Sequence, residues 1–314
     1  MTGPESVTGT PAVRELLLDV AQRLGSATEA RWLLEHVLGT GNGAILAQAR
    51  AGTMTTPGEV DAIEALVERR LAGEPLQYVL GMWDFRALEL KVDPRVLIPR
   101  PETEVVVGHA LDELTLLVEQ SDPEDLIVVV DLGTGSGAIA LSMALEGSAI
   151  IRDRHLQIWA TDDDPASLAV AGDNIQTIGE AHPEVPPVNL AEGHWFDALP
   201  LELKGRVGLV VTNPPYIAES EFLDLDPVVR DHEPRHALVS GPSGTEAIDE
   251  ILNAAPEWLA PHGALVIEIA PHQAEDAALR ALISGFDGVV VRRDFAERSR
   301  ALVARLWGQV PQES

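Results

Sequence analysis

Apolar residues in the first seventy positions recur at spacings of three and four. Val13, Leu16, Leu17, Val20 and Leu24 form one stripe, and Ala62, Leu66 and Leu71 form another. That period is helical. Ser26 with Glu29, and Thr56 with Glu59, mark two helix starts, the second with Pro57 at its first helical position. Residues 11–81 thus read as a small helical domain, and the polar, Gly- and Pro-punctuated residues 1–10 as a disordered tail. From residue 85 to 96 the apolar period changes to two. This alternation predicts a β-hairpin, 85–91 with 96–98, turning at Asp93-Pro94 inside a linker that spans 82–101.

Over residues 102–314 the two periods take turns. Strand-like apolar runs at 126–130, 156–161, 208–212 and 264–269, and a shorter one near Val188, are separated by helical stretches at 103–119, 137–145, 165–178, 245–259 and 274–283. Repeated βα units predict a mostly parallel sheet covered on both faces. The last two runs, 289–291 and 301–303, are close enough to pair as a terminal antiparallel hairpin.

Composition narrows the function classes. The chain has no cysteine, which excludes a disulfide framework, a thiolate metal site and a cysteine nucleophile. It has no run of 18 apolar residues, and its first ten residues lack the pattern of a secretory leader. The expectation is a cytoplasmic protein without a membrane partner. Fifty acidic residues face 22 basic ones, a formal net charge of −28. Such a surface repels phosphate backbones, so no direct nucleic-acid binding is expected. His232 and His236 have helical spacing, but Pro234 interrupts them and no third ligand is near, so no metal site is expected.

Two segments carry chemistry. Asp131-Leu-Gly133-Thr134-Gly135-Ser136-Gly137 follows a buried strand and opens a helix. Glycines there allow a tight turn and close approach of backbone to a ligand, and the helix start offers unpaired N–H donors. Asp162 ends the next strand, where a carboxylate can accept both hydroxyls of a ribose. Gly133, Gly135 and Ala138 also fit a dinucleotide fingerprint, but Asp162 lies later than the usual acidic partner at about 20 residues. The second segment is Asn213-Pro214-Pro215-Tyr216, directly after the strand at 208–212. Two prolines stiffen the chain and leave carbonyls that no helix or ladder consumes. Asn213 adds a side-chain acceptor and Tyr216 a flat face. Together they read as a clamp for a planar NH₂ group, held by the Asn213 side-chain oxygen and the Pro214 carbonyl.

The two segments together resemble the amino-group methyltransferases, which act on adenine, cytosine or glutamine nitrogen. Leu97-Ile-Pro-Arg100-Pro-Glu-Thr-Glu104, with Pro75-Leu-Gln-Tyr78 upstream, narrows the resemblance to the HemK/PrmC family of peptide chain release factor N5-glutamine methyltransferases. Glu233-Pro-Arg-His-Ala-Leu238, Gly241 and the segment from Leu259 to Glu268 follow in the same order, so the resemblance covers about residues 12–307. It implies a class I methyltransferase fold, Rossmann-like, with a small N-terminal helical domain that docks the substrate. It implies S-adenosyl-L-methionine as cofactor, bound by Gly133 to Gly137, Asp162, Trp195 and Asn213, with Trp195 near the adenine. It implies that Asn213 to Tyr216 hold the glutamine, that Asn213, Pro214 and Tyr216 carry the chemistry, and that Arg100 lies on the substrate side. Peptide chain release factors are the implied partners. Two departures stand out: Ser243-Gly244-Thr245 where the family often has Asp-Gly-Leu, and no glycine within 294–298. The alternatives are glutamine methylation of a ribosomal protein, an adenine-N6 DNA methyltransferase, and a nicotinamide-dependent oxidoreductase.

Overall fold

The computed structural model describes residues 10–307 apart from 42, 123 and 152–154. All of the expected tail but Thr10 lies outside them. The chain divides into two compact units, Met1–Gly81 and Met82–Ser314.

The first unit is helical: α1 (Val13–Leu24), α2 (Ala27–Leu38), α3 (Ala44–Ala51), α4 (Pro57–Leu71) and α5 (Leu76–Leu80). Ser26 caps α2 by accepting the Glu29 N–H, and Thr56 with Glu59 forms a complete capping box on α4. Val13, Leu16 and Val20 bury the predicted stripe of α1. On α4 the buried residues are Ile63 and Val67, one position after the predicted stripe, and Leu71 is exposed. Periodicity sets the spacing of a stripe, and packing against α2 and α1 selects its phase.

The second unit begins with a hairpin, β1 (Met82–Phe85) and β2 (Leu88–Lys91). Phe85 pairs with Leu88, so the turn is at Arg86-Ala87 and not at Asp93-Pro94. Arg86 adopts φ 53° and is held there from outside the turn. Its guanidinium grips both carboxylate oxygens of Glu146 at 2.5 and 2.6 Å and the Glu104 carbonyl at 2.7 Å. Asp93 instead folds back on Arg95, whose backbone N–H and guanidinium it accepts. Phe85, Leu88 and Leu90 join the core of this unit, so the segment is part of its packing.

The remaining elements are α6 (Pro101–Gln120), β3 (Leu126–Leu132), α7 (Ala138–Ile151), β4 (His155–Asp162), α8 (Pro165–Ala181), β5 (Val188–Glu192), β6 (Val207–Thr212), β7 (Ile217–Ala218), α9 (Pro227–His232), β8 (Val239–Gly241), α10 (Glu246–Trp258), β9 (Leu259–Glu268), α11 (Ala274–Ile283), β10 (Gly288–Arg293) and β11 (Ser299–Arg305). Among the described residues, seven strands form one sheet in the order β10-β11-β9-β6-β3-β4-β5. β9, β6, β3, β4 and β5 run parallel, and β11 lies antiparallel between β9 and β10. This is the class I methyltransferase sheet. Side chains of β3 alternate between two cores: Val129 belongs to the one that includes Leu114 and Met143, and Val128 and Val130 to the one that includes Ile251 and Leu252. The chain leaves β3 for β4 and β5 on one side and returns to β6 on the other. That reversal opens a crevice outside the carboxyl ends of β3 and β6. No helix among the described residues is long and apolar enough to cross a membrane.

Candidate active site

The glycine segment turns at that crevice. Gly133, Gly135 and Gly137 all have positive φ, between 55° and 84°. At its φ of 70° Gly133 is strained for any other residue, and a Cβ there would stand 3.2 Å from the Trp195 ring, which would have to give by a few tenths of an ångström. Asp131 sits beneath, 1% exposed. Its Oδ2 accepts the Thr134 hydroxyl at 2.6 Å and the Ala140 N–H at 3.1 Å, whereas its Oδ1 is buried without a partner. Burial pushes its carboxyl up to about 7. Asp131 therefore braces the loop from below. Asp162 ends β4 and accepts the Gly135 N–H at 2.9 Å and the Asp164 N–H at 3.0 Å. Burial raises its carboxyl above the ordinary range.

Asn213 follows β6, whose end is stitched to β3 by the Thr212 hydroxyl on the Leu132 carbonyl at 2.7 Å. The Asn213 Nδ2 donates to the Thr103 hydroxyl at 3.1 Å, and that hydroxyl donates to Glu268 at 2.7 Å. The Tyr216 hydroxyl donates to the other Glu268 oxygen at 3.3 Å. With one Nδ2 hydrogen engaged on Thr103, the amide is held in one orientation and its Oδ1 is the acceptor it can offer a ligand. Glu268 is fully buried, and that burial lifts its carboxyl to about 7. Burial also raises the Tyr216 phenol. Gly244 keeps the glycine where the resemblance departs: its φ is +79°, and a Cβ there would come within 2.8 Å of the Tyr216 carbonyl oxygen.

Two cavities meet at Asn213. A cleft of about 930 Å³ is lined by Gly133, Gly135, Asp162, Trp195, Asn213 and Pro215 among others. A smaller cavity of about 460 Å³ is lined by Arg100, Asn213 and Tyr216. Leu97, Asn213 and Ala237 border both. Thr134 and Ser136 are buried and support the loop: the Thr134 hydroxyl goes to Asp131 and the Ser136 carbonyl accepts from Asn174. Gly137 donates its N–H to the Thr134 carbonyl at 2.8 Å, and Pro214 is buried and is not among the lining residues of either cavity. Arg100 is not a free cation. It is paired with the buried Glu233, which also accepts the Ile98 N–H at 3.2 Å.

The larger cleft is acidic. Asp162, Asp163, Glu246 and Glu250 line it, with His194 and His236, and none of its described lining residues is lysine or arginine. Glu250 accepts the Trp195 indole N–H at 3.0 Å and is 2.7 Å from the His194 ring. Sequence reasoning gave no role to Thr103, Glu233, Glu250 or Glu268. Three of them stood in the segments that carried the resemblance, but only the fold brings Thr103 and Glu268, 165 positions apart, into contact. Among the described residues no cluster of ligands suits a metal ion.

The raised carboxyl of Asp131 makes a prediction about the free protein. Its folded form holds a proton that the unfolded chain releases near pH 4. That contribution to stability is complete below about pH 4 and is lost as pH rises through about 7. Asp131→Asn removes the titration and keeps the shape. Melting followed from pH 5 to 8 should fall more steeply for the native protein than for this variant. Parallel curves would show that Asp131 does not titrate in this range.

A glycine loop at a switch point, an acid at the next strand end and a class I sheet define a nucleoside-cofactor enzyme of the methyltransferase type. Residues 15–81 match the family model described as the PrmC N-terminal domain. The chain is 34% identical to the release factor glutamine methyltransferase of Coxiella burnetii, over 94% of this chain and 99% of that protein. It is 36% identical to that of Gloeobacter violaceus, over 90% and 92%. It is 40% identical to that of Bordetella pertussis, over 85% and 90%. The chain belongs to the release factor glutamine methyltransferase family.

Proposed function

We propose that the protein transfers a methyl group from S-adenosylmethionine to the side-chain amide nitrogen of the glutamine in the Gly-Gly-Gln motif of peptide chain release factors. The observation that carries this reading is the place of Asn213, whose side chain borders both the acidic cleft and the smaller cavity. One cavity suits the cofactor and the other the glutamine, with the acceptor at their shared wall. The acidic lining fits a cationic cofactor and opposes the pyrophosphate of a dinucleotide. The Trp195 ring over Gly133 supplies a face for adenine, and Asp162 an acceptor for ribose hydroxyls.

The cofactor, when bound, supplies an electrophilic methyl on a sulfonium. The protein's part is to aim the nitrogen. An amide lone pair is delocalised into its carbonyl and is a poor nucleophile in water. Asn213 Oδ1 and the Pro214 carbonyl each accept one N–H of the substrate amide, which fixes the nitrogen's orientation. Orientation of this kind is worth up to roughly 7–11 kcal/mol in favourable reactions. The same two acceptors stabilise the positive charge that develops on nitrogen as the methyl leaves the sulfonium, which departs as a neutral thioether, and the nitrogen then gives up one of its two protons to water. Two glycines before the substrate glutamine let its backbone extend into a recessed site without side-chain clashes.

Incubation with labelled S-adenosylmethionine and release factors, followed by peptide mass mapping, tests this reading. Label on the Gly-Gly-Gln glutamine is expected. Label on a ribosomal protein or on duplex DNA, with none on release factor, would overturn it.

The helical unit has the role of docking the protein substrate, because the clamp by itself recognises only an amide. Leu18 and Met54 leave more than half their surface exposed. Replacing each by aspartate should raise KM for whole release factor several-fold and leave turnover of a short Gly-Gly-Gln peptide unchanged. Equal loss on both substrates would contradict a docking role.

A further inference from the structure

The chain of hydrogen bonds behind Asn213 has a direction. Glu268 lies at the end of β9, fully buried, and each of its oxygens accepts a hydroxyl, from Thr103 and from Tyr216. A threonine hydroxyl has one proton to give. Because Thr103 gives its proton to the carboxylate, it meets Asn213 as an acceptor, and only the Nδ2 end of that amide can satisfy it. The Oδ1 end is then left for the cavity wall.

We infer that Thr103 and Glu268 are positioning residues that lock the Asn213 amide with its oxygen toward the substrate. This deepens the function proposed above and rests on that reading. An asparagine amide is nearly symmetric in shape, and the two orientations differ only in which atom donates. A flipped Asn213 would point an NH₂ at the substrate's own NH₂, so donor would face donor and the nitrogen could not be held. In its ionised form Glu268 resolves the choice, because a carboxylate is an acceptor at both oxygens. It also explains why the segment Arg100-Pro-Glu-Thr103-Glu104 sits at the start of α6, where Thr103 is 4% exposed and packed against the last residue of β9. Neither residue lines either cavity, so neither touches a ligand there.

Three variants separate this from a packing role. Thr103→Val keeps the shape and removes the hydroxyl. Thr103→Ser keeps the hydroxyl and removes a methyl. Glu268→Gln keeps the shape and gives the buried end an NH₂ that can donate to Thr103. Thr103→Val and Glu268→Gln should each lower kcat on release factor on the order of 10–100-fold, the loss that follows from a misplaced positioning group. KM, cofactor affinity and melting temperature should stay close to those of the native protein. Thr103→Ser should keep most of the rate. The double variant should be no slower than Thr103→Val, because one break already uncouples the chain. Independently of any substrate, the side-chain NH₂ protons of Asn213 in an ¹⁵N-labelled sample should exchange slowly in the native protein and in Thr103→Ser, and fast in the other two. Native kcat in Thr103→Val, or unchanged Asn213 exchange in both Thr103→Val and Glu268→Gln, would overturn the inference. If the native protein fails to methylate release factor, the proposed function falls, and the exchange measurement still decides the relay.

Discussion

Asn213→Ala should lose on the order of 10²-fold or more in turnover, the loss that follows removal of one oriented partner from a preorganised site. Cofactor affinity should change much less, because Gly133, Gly135, Asp162 and Trp195 still line the cleft. Asn213 stands at the wall common to both cavities, and the bond from its Nδ2 to Thr103 fixes which way its amide faces. In the proposed clamp its oxygen accepts from the substrate nitrogen. Asn213→Asp is the sharper variant. It keeps an oxygen in place but cannot donate to Thr103, and it adds a charge beside a buried Glu268. Turnover should fall here too, while the added charge strengthens binding of a cationic cofactor. Single-turnover rates with saturating cofactor, alongside calorimetric affinity, separate the two effects. Full methylation by Asn213→Ala would remove the clamp from the mechanism.

The parts of this site that were legible from sequence are those where one local segment does the work. The glycine loop announces itself because three left-handed positions within five residues tolerate little but glycine. Asn213-Pro-Pro-Tyr216 follows a strand, and the βα order places it on the same sheet edge as the loop. The parallel sheet was readable from its buried runs, and the final pair of strands from their proximity. What sequence did not give was partnership at long range. Asp93-Pro94 favour a turn by local propensity, yet Asp93 uses its carboxylate on Arg95. The observed turn at Arg86-Ala87 is held by Glu146 and Glu104, sixty and eighteen positions away, which no local propensity contains. Asp131 was legible as a strand-end acid, but its burial beneath the loop was not. Arg100 stood out as a cation near the substrate, and only the fold shows that Glu233, 133 positions on, has already claimed it. The insertion of β11 between β9 and β10 is likewise a property of the sheet, because a hairpin pattern does not say which of its strands meets the rest.

The second large effect is expected at Asp162. Asp162→Ala should weaken S-adenosylmethionine binding about 10- to 150-fold, which is the loss of one charge-assisted hydrogen bond of about 1.5–3 kcal/mol. Two consequences of the substitution act in the same direction. The first is loss of the carboxylate that lines the cleft at the end of β4, where the ribose hydroxyls would donate. The second is that Gly135 and Asp164 lose the acceptor of their backbone N–H groups, so the glycine loop is no longer tied to β4 by that side chain. An Asp162→Asn variant separates them only in part. Its remaining oxygen can serve one N–H, but its NH₂ group then confronts the other, so the loop is disturbed in that variant as well. Glu in this position keeps the charge and moves it outward by one methylene, which should restore ribose contact poorly and the loop tie not at all. Calorimetric titration of the three variants ranks them: native tightest, then Asp162→Glu and Asp162→Asn, then Asp162→Ala. Turnover at saturating cofactor should recover toward the native rate in each, because Asn213 follows β6 and its partners Thr103 and Glu268 lie on α6 and β9, not on β4. Unchanged affinity in Asp162→Ala would take Asp162 out of the cofactor site, and an unrecovered rate at saturation would mean that the loop tie reaches the methyl-transfer geometry itself.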